Sequence, residues 1–290
     1  MSIAHLLILV CLLLGISPGH AETLTWAQLS LPRAAVPQLE GAGEDFILDA
    51  QRLLERELPE LTHRHRASSV KRLDRELASG SPVCSMTVLR RSERDEVGYF
   101  IGYLPVLPME LVSRAGSLPE STIENGKVSL LKLLGLPLRG GISPTRAYPP
   151  ELQAPIEAGI ARGRIEVLSN PSLNVNLMAM ISHRRLDYTF EFPIFTEHYS
   201  RIAPLPEPLV SLPIVESQEL ITSGLYCPRT AWGKAMAVRI DAAARRLAQA
   251  PEVLLKLYST RQRAAYEEQL LDYFRTRAAT QYPGTEPLSQ

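Results

Sequence analysis

Strand-like and helix-like segments alternate along nearly the whole chain, and two extended, proline-punctuated stretches break that alternation. No other feature restricts the fold as much. Residues 24–30 read as a strand and 41–43 as a turn. From Asp45 the apolar residues Phe46, Ile47, Ala50, Leu53, Leu54 and Leu58 follow helical spacing until Pro59 ends the run. Residues 62–66 form a polar strand candidate. Val70, Leu73 and Leu77 mark a second helix that stops at Gly80. Residues 83–89 then alternate like a strand. Strand, helix, strand, helix, strand in this order predicts a parallel sheet covered by helices.

The first extended stretch runs over residues 104–112, and a fresh alternation follows it. Ser129 is placed to cap a short helix at 130–134. A strand at 138–142, a helix at 149–160, a strand at 165–168, a helix at 174–183 and a strand at 187–192 come next. Pro204, Pro206, Pro208 and Pro213 mark the second extended stretch. The chain returns with a strand at 225–227 and a long helix at 232–247 that lines up Trp232, Met236, Ile240, Ala243 and Leu247 on one face. Helices at 252–258 and 263–277 close it. Two crossovers, with the first and last parts sharing a lobe, predict an α/β clamshell. Residues 22–108 and 204–282 would build lobe 1, residues 109–203 lobe 2, and 283–290 a flexible tail. Ligand would sit in the cleft near helix N-termini and strand carboxyl ends, with hinge closure about the crossovers.

Residues 6–16 are an almost unbroken apolar run, too short to span a bilayer, which needs roughly 20 apolar residues. Ser17, Pro18 and Gly19 break it, and Gly19-His20-Ala21 supplies small residues where signal peptidase reads. We expect a signal peptide over 1–21, cleavage after Ala21 and an exported, periplasmic protein, although the leading segment carries no Lys or Arg. Arg plus Lys and Asp plus Glu balance at 31 each, so charge gives no argument for nucleic acid or an anionic membrane. After cleavage only Cys84 and Cys227 remain. An even pair in an oxidising compartment favours a disulfide over two buried thiols.

Several short motifs, in their order and spacing, carry a family likeness over essentially the whole mature chain. They are Arg72 with Leu77-Ala78-Ser79-Gly80 and Cys84, then Glu93-Arg94 with Phe100 six residues beyond the arginine. Gly141 with Thr145-Arg146-Ala147-Tyr148 follows, then Arg185-Leu186-Asp187-Tyr188 leading to Glu191-Phe192-Pro193. Last comes Cys227-Pro228-Arg229-Thr230-Ala231-Trp232-Gly233. With these the chain resembles the family 3 extracellular (periplasmic) solute-binding proteins, and most of all an uncharacterised proteobacterial transporter-type substrate-binding subfamily.

The resemblance implies a type II-like clamshell that delivers a small polar, amino-acid-like solute to a membrane transporter. It strengthens the Cys84–Cys227 disulfide. It also implies that Arg94 clamps the ligand carboxylate, a task suited to a planar guanidinium that stays charged. The bland alternative makes Arg94 one more surface charge among Arg90, Arg91, Glu93, Asp95 and Glu96. Three positions depart from the family: Arg33 follows Pro32 where relatives place an aromatic, Ile101 replaces a serine, and His183 or Arg184 stands where a glycine is usual.

In lobe 2 the resemblance implies ligand contacts from Ser143, Thr145, Arg146 and Tyr148, on a loop before a helix start where backbone N–H groups favour anions. A capped, solvated loop is the alternative. Asp187 and Glu191 lie four residues apart. Asp187 reads as structural, and Glu191 as the partner of a ligand ammonium. His63 and His65 lack further ligands at metal-binding spacing, so no metal is expected, and Trp26 and Trp232 read as core anchors. No hydrolase elbow, zinc-protease helix, Walker loop or dinucleotide glycine pattern occurs, so we expect no catalysis and no cofactor. The expected protein is a monomeric solute-binding protein with an inner-membrane transporter as partner. The competing expectation is a periplasmic sensor or adaptor that uses the same clamshell to regulate a membrane receptor.

Overall fold

The computed structural model describes residues 22–29, 45–144, 146, 148–168, 173–202 and 205–282. The expected signal segment, the 41–43 turn, Pro32, Arg33, Thr145 and the tail at 283–290 lie outside them. Lobe 1 begins with β1 (Glu22–Leu29), α1 (Asp45–Arg56), β2 (Leu61–Ser68), α2 (Val70–Ala78), β3 (Cys84–Ser85), β4 (Val88–Leu89), α3 (Ser92–Val97) and β5 (Gly98–Val106). β1 lies between β2 and β3 and is parallel to both, as the alternation predicts. The ends of α2 follow from its sequence. The Ser69 hydroxyl accepts the Arg72 N–H at the start, and Gly80, at φ +72°, lets the chain leave beyond the helix.

Lobe 2 comprises β6 (Glu110–Arg114), β7 (Ile123–Glu124), β8 (Lys127–Val128), α4 (Leu130–Leu133), β9 (Gly140–Ile142), α5 (Pro150–Ala161), β10 (Ile165–Val167), α6 (Leu173–Ser182), β11 (Tyr188–Glu191), α7 (Pro193–Ile202) and β12 (Leu209–Pro213). Its sheet runs β10-β9-β11-β6-β12. β9 is parallel to both neighbours, and β6 is antiparallel to β11 and β12. Ser129 caps α4 as expected, its hydroxyl accepting the Lys132 N–H.

One boundary is corrected here. Residues 204 onward were expected in lobe 1, yet Leu209–Pro213 pair with β6 and so belong to the lobe 2 sheet. Proline misleads because β12 is the edge strand, where a missing N–H is tolerated. The return to lobe 1 comes only with β13 (Ile221–Pro228), followed by α8 (Ala231–Ala248), α9 (Pro251–Leu255) and α10 (Thr260–Ala279).

β13 lies antiparallel between β4 and β5, with an irregularity between Ser223 and Gly224. A Cβ on Gly224 would lie 2.0 Å from the Ile101 carbonyl oxygen, so only glycine fits this approach. Lobe 1 therefore contains two three-stranded sheets, β2-β1-β3 and β4-β13-β5. The expected disulfide joins them: Cys84 of β3 and Cys227 of β13 are bonded and fully buried. Beside it the Tyr226 N–H donates to Ser85 Oγ at 2.8 Å. The bond spans 143 residues, for which the chain-entropy argument gives about 4–5 kcal/mol.

Met236, Ile240, Ala243 and Leu247 of α8 are buried in the lobe 1 core, with Trp232 partly buried against it. Trp26 is fully buried in the same core. Lobe 2 has its own core around Leu111, Leu133, Ile156, Tyr188 and Phe190. Leu89, at the end of β4 in lobe 1, reaches across and packs on that second core together with Val106 at the end of β5 and Ile221 at the start of β13. Among the described residues no helix is long and apolar enough to cross a membrane.

Candidate functional site

Arg94 sits on α3, the helix that follows the Leu89 contact between the lobes. It is 5% exposed, which sets it apart from a solvated surface charge. Its Nε donates to Asp74 Oδ1 of α2 at 2.8 Å. Its two Nη atoms make no hydrogen bond among the described residues. A buried guanidinium with an open fork is short of acceptors, because burying a charge is costly without hydrogen bonds.

The neighbouring Arg90 is committed elsewhere. Arg90 donates to Asp95 Oδ2 at 2.9 Å and lies over the Phe100 ring at 4.9 Å. Asp95 also accepts the Tyr226 hydroxyl at 2.7 Å, and its carbonyl accepts two N–H groups of Arg229. This knot fixes α3, and with it the backbone at Arg94, onto the end of β13. Ile101, the residue in place of the family serine, is fully buried in the lobe 1 core. Its substitution is a packing change within β5.

In lobe 2 the predicted residues meet one another. The Tyr148 hydroxyl accepts the Ser143 N–H at 3.1 Å and donates to the Ser143 carbonyl at 3.3 Å, so it closes the 143–148 loop on itself. Burial pushes its phenol above the usual range. Arg146 forms an ion pair with Glu191, and its guanidinium lies 4.6 Å from the Phe195 ring centre and 5.3 Å from that of Phe192. Glu191 Oε1 also accepts the Phe192 N–H at 2.8 Å. Arg146 and Glu191 were expected as separate partners of a ligand anion and a ligand cation. They stand in one charge-neutral pair.

The helix start after this loop also differs from the expectation. α5 opens with Pro149 as its cap and Pro150 at the first position, and Glu151 stands in its first turn. Proline has no N–H, and the Leu152 N–H is already bonded to the Pro149 carbonyl. This end therefore offers an anion little. Asp187 is structural, as read: it accepts Arg114 Nη2 at 3.1 Å and the Arg139 N–H at 2.8 Å. His63 accepts the Trp26 indole N–H at Nδ1, which leaves its Nε2–H to the Leu58 carbonyl, and His65 pairs with Glu55.

The sequence reading missed Asp74, the anchor of Arg94, which lies 20 residues away on another helix. It also missed Glu110. A lone carboxylate inside the apolar 104–112 stretch was the available signal.

No protein-family model matches the chain, and no curated protein matches its sequence. Solved structures do match it. A Streptococcus mutans protein described with glutathione import through GshT and the cystine importer TcyBC aligns at 12% identity, TM-score 0.60, over 87% of this chain and 96% of its own. The probable amino-acid ABC transporter extracellular-binding protein ytmK of Bacillus subtilis aligns at 13% identity, TM-score 0.60, over 88% and 100%. The BvgS VFT2 domain of Bordetella pertussis, as a double mutant, aligns at 15%, TM-score 0.56, over 81% and 93%. At such identity the likeness is one of fold, and the fold is the two-lobe Venus-flytrap clamshell of substrate-binding proteins.

Proposed function

We propose that this chain is a periplasmic solute-binding protein that captures a small carboxylate-bearing, amino-acid-like solute between its lobes for a membrane importer. The observation that carries the reading is Arg94: buried, anchored at Nε by Asp74, and with both Nη atoms open. Such a fork matches the two oxygens of a carboxylate. The fold supports it, since the matched proteins include an amino-acid transporter's binding protein and an ancestral arginine-binding protein bound to arginine. Ser143 and the Tyr148-closed loop then form the lobe 2 wall. Arg146 and Glu191 act as a preformed pair that shapes this wall.

The test is a thermal-shift screen of protein that has been unfolded and refolded to strip carried-over solute. The panel holds amino acids, short peptides, dicarboxylates, polyamines and sugar acids. One carboxylate class should raise the melting temperature by mass action on the folded state. Arg94→Ala should weaken that class about 10–100-fold, the loss of a charge-assisted hydrogen-bond pair. Unchanged affinity in the variant would remove Arg94 from the site.

A second reading, a periplasmic sensor or adaptor, draws on the Arg146–Glu191 pair, which spends both lobe 2 charges on each other. A flat screen with well-folded protein would favour it.

A further inference from the structure

A pocket of about 350 Å³ lies beside the hinge. Neither Arg94 nor Ser143, Arg146 or Tyr148 lines it. Lobe 2 contributes Glu110 at the start of β6 and Glu197 of α7. Lobe 1 contributes Arg261, Ala265 and Tyr266 of α10, and Leu107 of the first crossover adds an apolar wall. The volume is within the usual range for small-molecule sites, about 300–1,000 Å³.

Glu110 is 3% exposed. Its Oε2 accepts the Ser211 hydroxyl and, at 3.4 Å, Arg261 Nη2. Its Oε1 accepts no hydrogen bond among the described residues, although the residue lines the pocket. Burial raises this carboxyl above its ordinary range and the nearby Glu197 charge adds to that, against the opposing pull of Ser211 and Arg261. Among the described residues Glu197 keeps a single hydrogen bond, from Ser259 Oγ to Oε1 at 3.2 Å. Arg261 is 59% exposed at its side chain, so its charge is mostly given to water. Two carboxylates thus face one loosely held guanidinium, and an oxygen of the buried one is left without a donor. The arrangement lacks one cation with hydrogen-bond donors.

The walls decide which cation. Among the described residues no group of three or more His, Cys, Asp or Glu side chains is placed to hold a metal ion. Tyr266 and Leu107, both in the lining, suit an alkyl chain that ends in an ammonium group. We propose that this hinge-side pocket is a second binding site, for a small organic ammonium ion held by Glu110 and Glu197 beside Tyr266. The inference stands apart from the cleft reading, because none of its residues is a proposed cleft contact. Its walls come from both lobes, so an occupant would bear directly on the hinge.

The experiment is titration of the protein at pH 7 with butylamine and 1,4-diaminobutane, with 1-butanol as the neutral isostere. Binding is read by calorimetry and by thermal shift. We expect saturable binding of the amines and none of the alcohol. Glu110→Gln and Glu197→Gln should each weaken it at least about tenfold, the loss of one charge-assisted hydrogen bond. Ala265→Phe changes an exposed helix position at the rim, so folding is preserved, and it should abolish binding by filling the mouth. Arg94→Ala should leave binding intact. The proposal fails if no saturable binding occurs or if it survives both glutamine variants. It also fails if Arg94→Ala abolishes binding while the pocket variants spare it, which would place the amine in the cleft.

Discussion

The two lobes hold themselves together by different means. Lobe 2 is built on a continuous five-stranded sheet whose ladder runs unbroken from β10 to β12, with the β7-β8 hairpin apart from it. Its Arg114–Asp187 ion pair is partly wet, with side chains 12% and 19% exposed. Lobe 1 is divided into two three-stranded sheets that no backbone ladder joins. There the connection is made by the Cys84–Cys227 bond and by the Tyr226 N–H donated to Ser85 Oγ, while Arg277 ties α8 and α10 to β5, donating to Asp241 at 2.6 Å and to the Gly102 carbonyl. Asp241 and Arg277 are 2% and 3% exposed. Where the sheet is continuous, hydrogen bonding suffices. Where it is broken, a covalent bond takes over, and a buried charge fastens the helices.

The largest expected effect follows from that buried charge. Asp241→Ala leaves Arg277 without its carboxylate in the core and should cost about 3–5 kcal/mol by urea unfolding. Asp187→Ala in lobe 2 should cost clearly less, because water can replace part of the lost pair. Equal costs would erase the contrast between the lobes.

The disulfide comes next. Cys84→Ala with Cys227→Ala should cost about 2–5 kcal/mol. Hydrogen exchange should show the loss in β1, β3 and β13, with β9 and β11 still protected. Equal loss in both lobes would mean that they unfold as one cooperative unit.

Glu110, on the border between the lobes, gives a smaller and pH-dependent effect. Its carboxyl is raised in the folded state, so the native protein holds this proton more readily than the unfolded chain does. Stability from this group is full below the unfolded value near 4.5 and is lost as pH rises through the folded value. Glu110→Gln should therefore melt at or above the native protein at pH 7, with the gap closing toward pH 4. A variant less stable at pH 7 would show that the Arg261 and Ser211 contacts outweigh the burial cost.

The smallest effect is expected at Arg184. It ends α6 at φ +60°, with its N–H on the Ile181 carbonyl and the Arg185 N–H on that of Met180. This six-to-one closure places a left-handed residue at a helix end that favours glycine. Arg184→Gly relieves the backbone but gives up an exposed ion pair to Glu207. A net gain of at most about 1 kcal/mol in a urea midpoint is expected. A loss would mean that the Glu207 pair dominates.

Much of this was legible in the residues before any coordinates. Ser129 marks a helix start and Gly80 a helix end because caps act on backbone groups a few positions away. The buried face of α8 shows because helical periodicity places Met236, Ile240, Ala243 and Leu247 together whatever surrounds them. The two cysteines were readable because a lone even pair of cysteines has few other uses. What stayed hidden depends on partners brought from a distance. β12 reads as a proline-rich crossover until β6 pairs with it. Arg146 and Glu191 read as two ligand contacts until the loop folds onto the end of β11. The hinge-side pocket joins Glu110 to Arg261, 151 residues away. Periodicity and capping are properties of one segment, whereas a sheet edge, a charge partner or a cavity exists only once separate segments share a boundary.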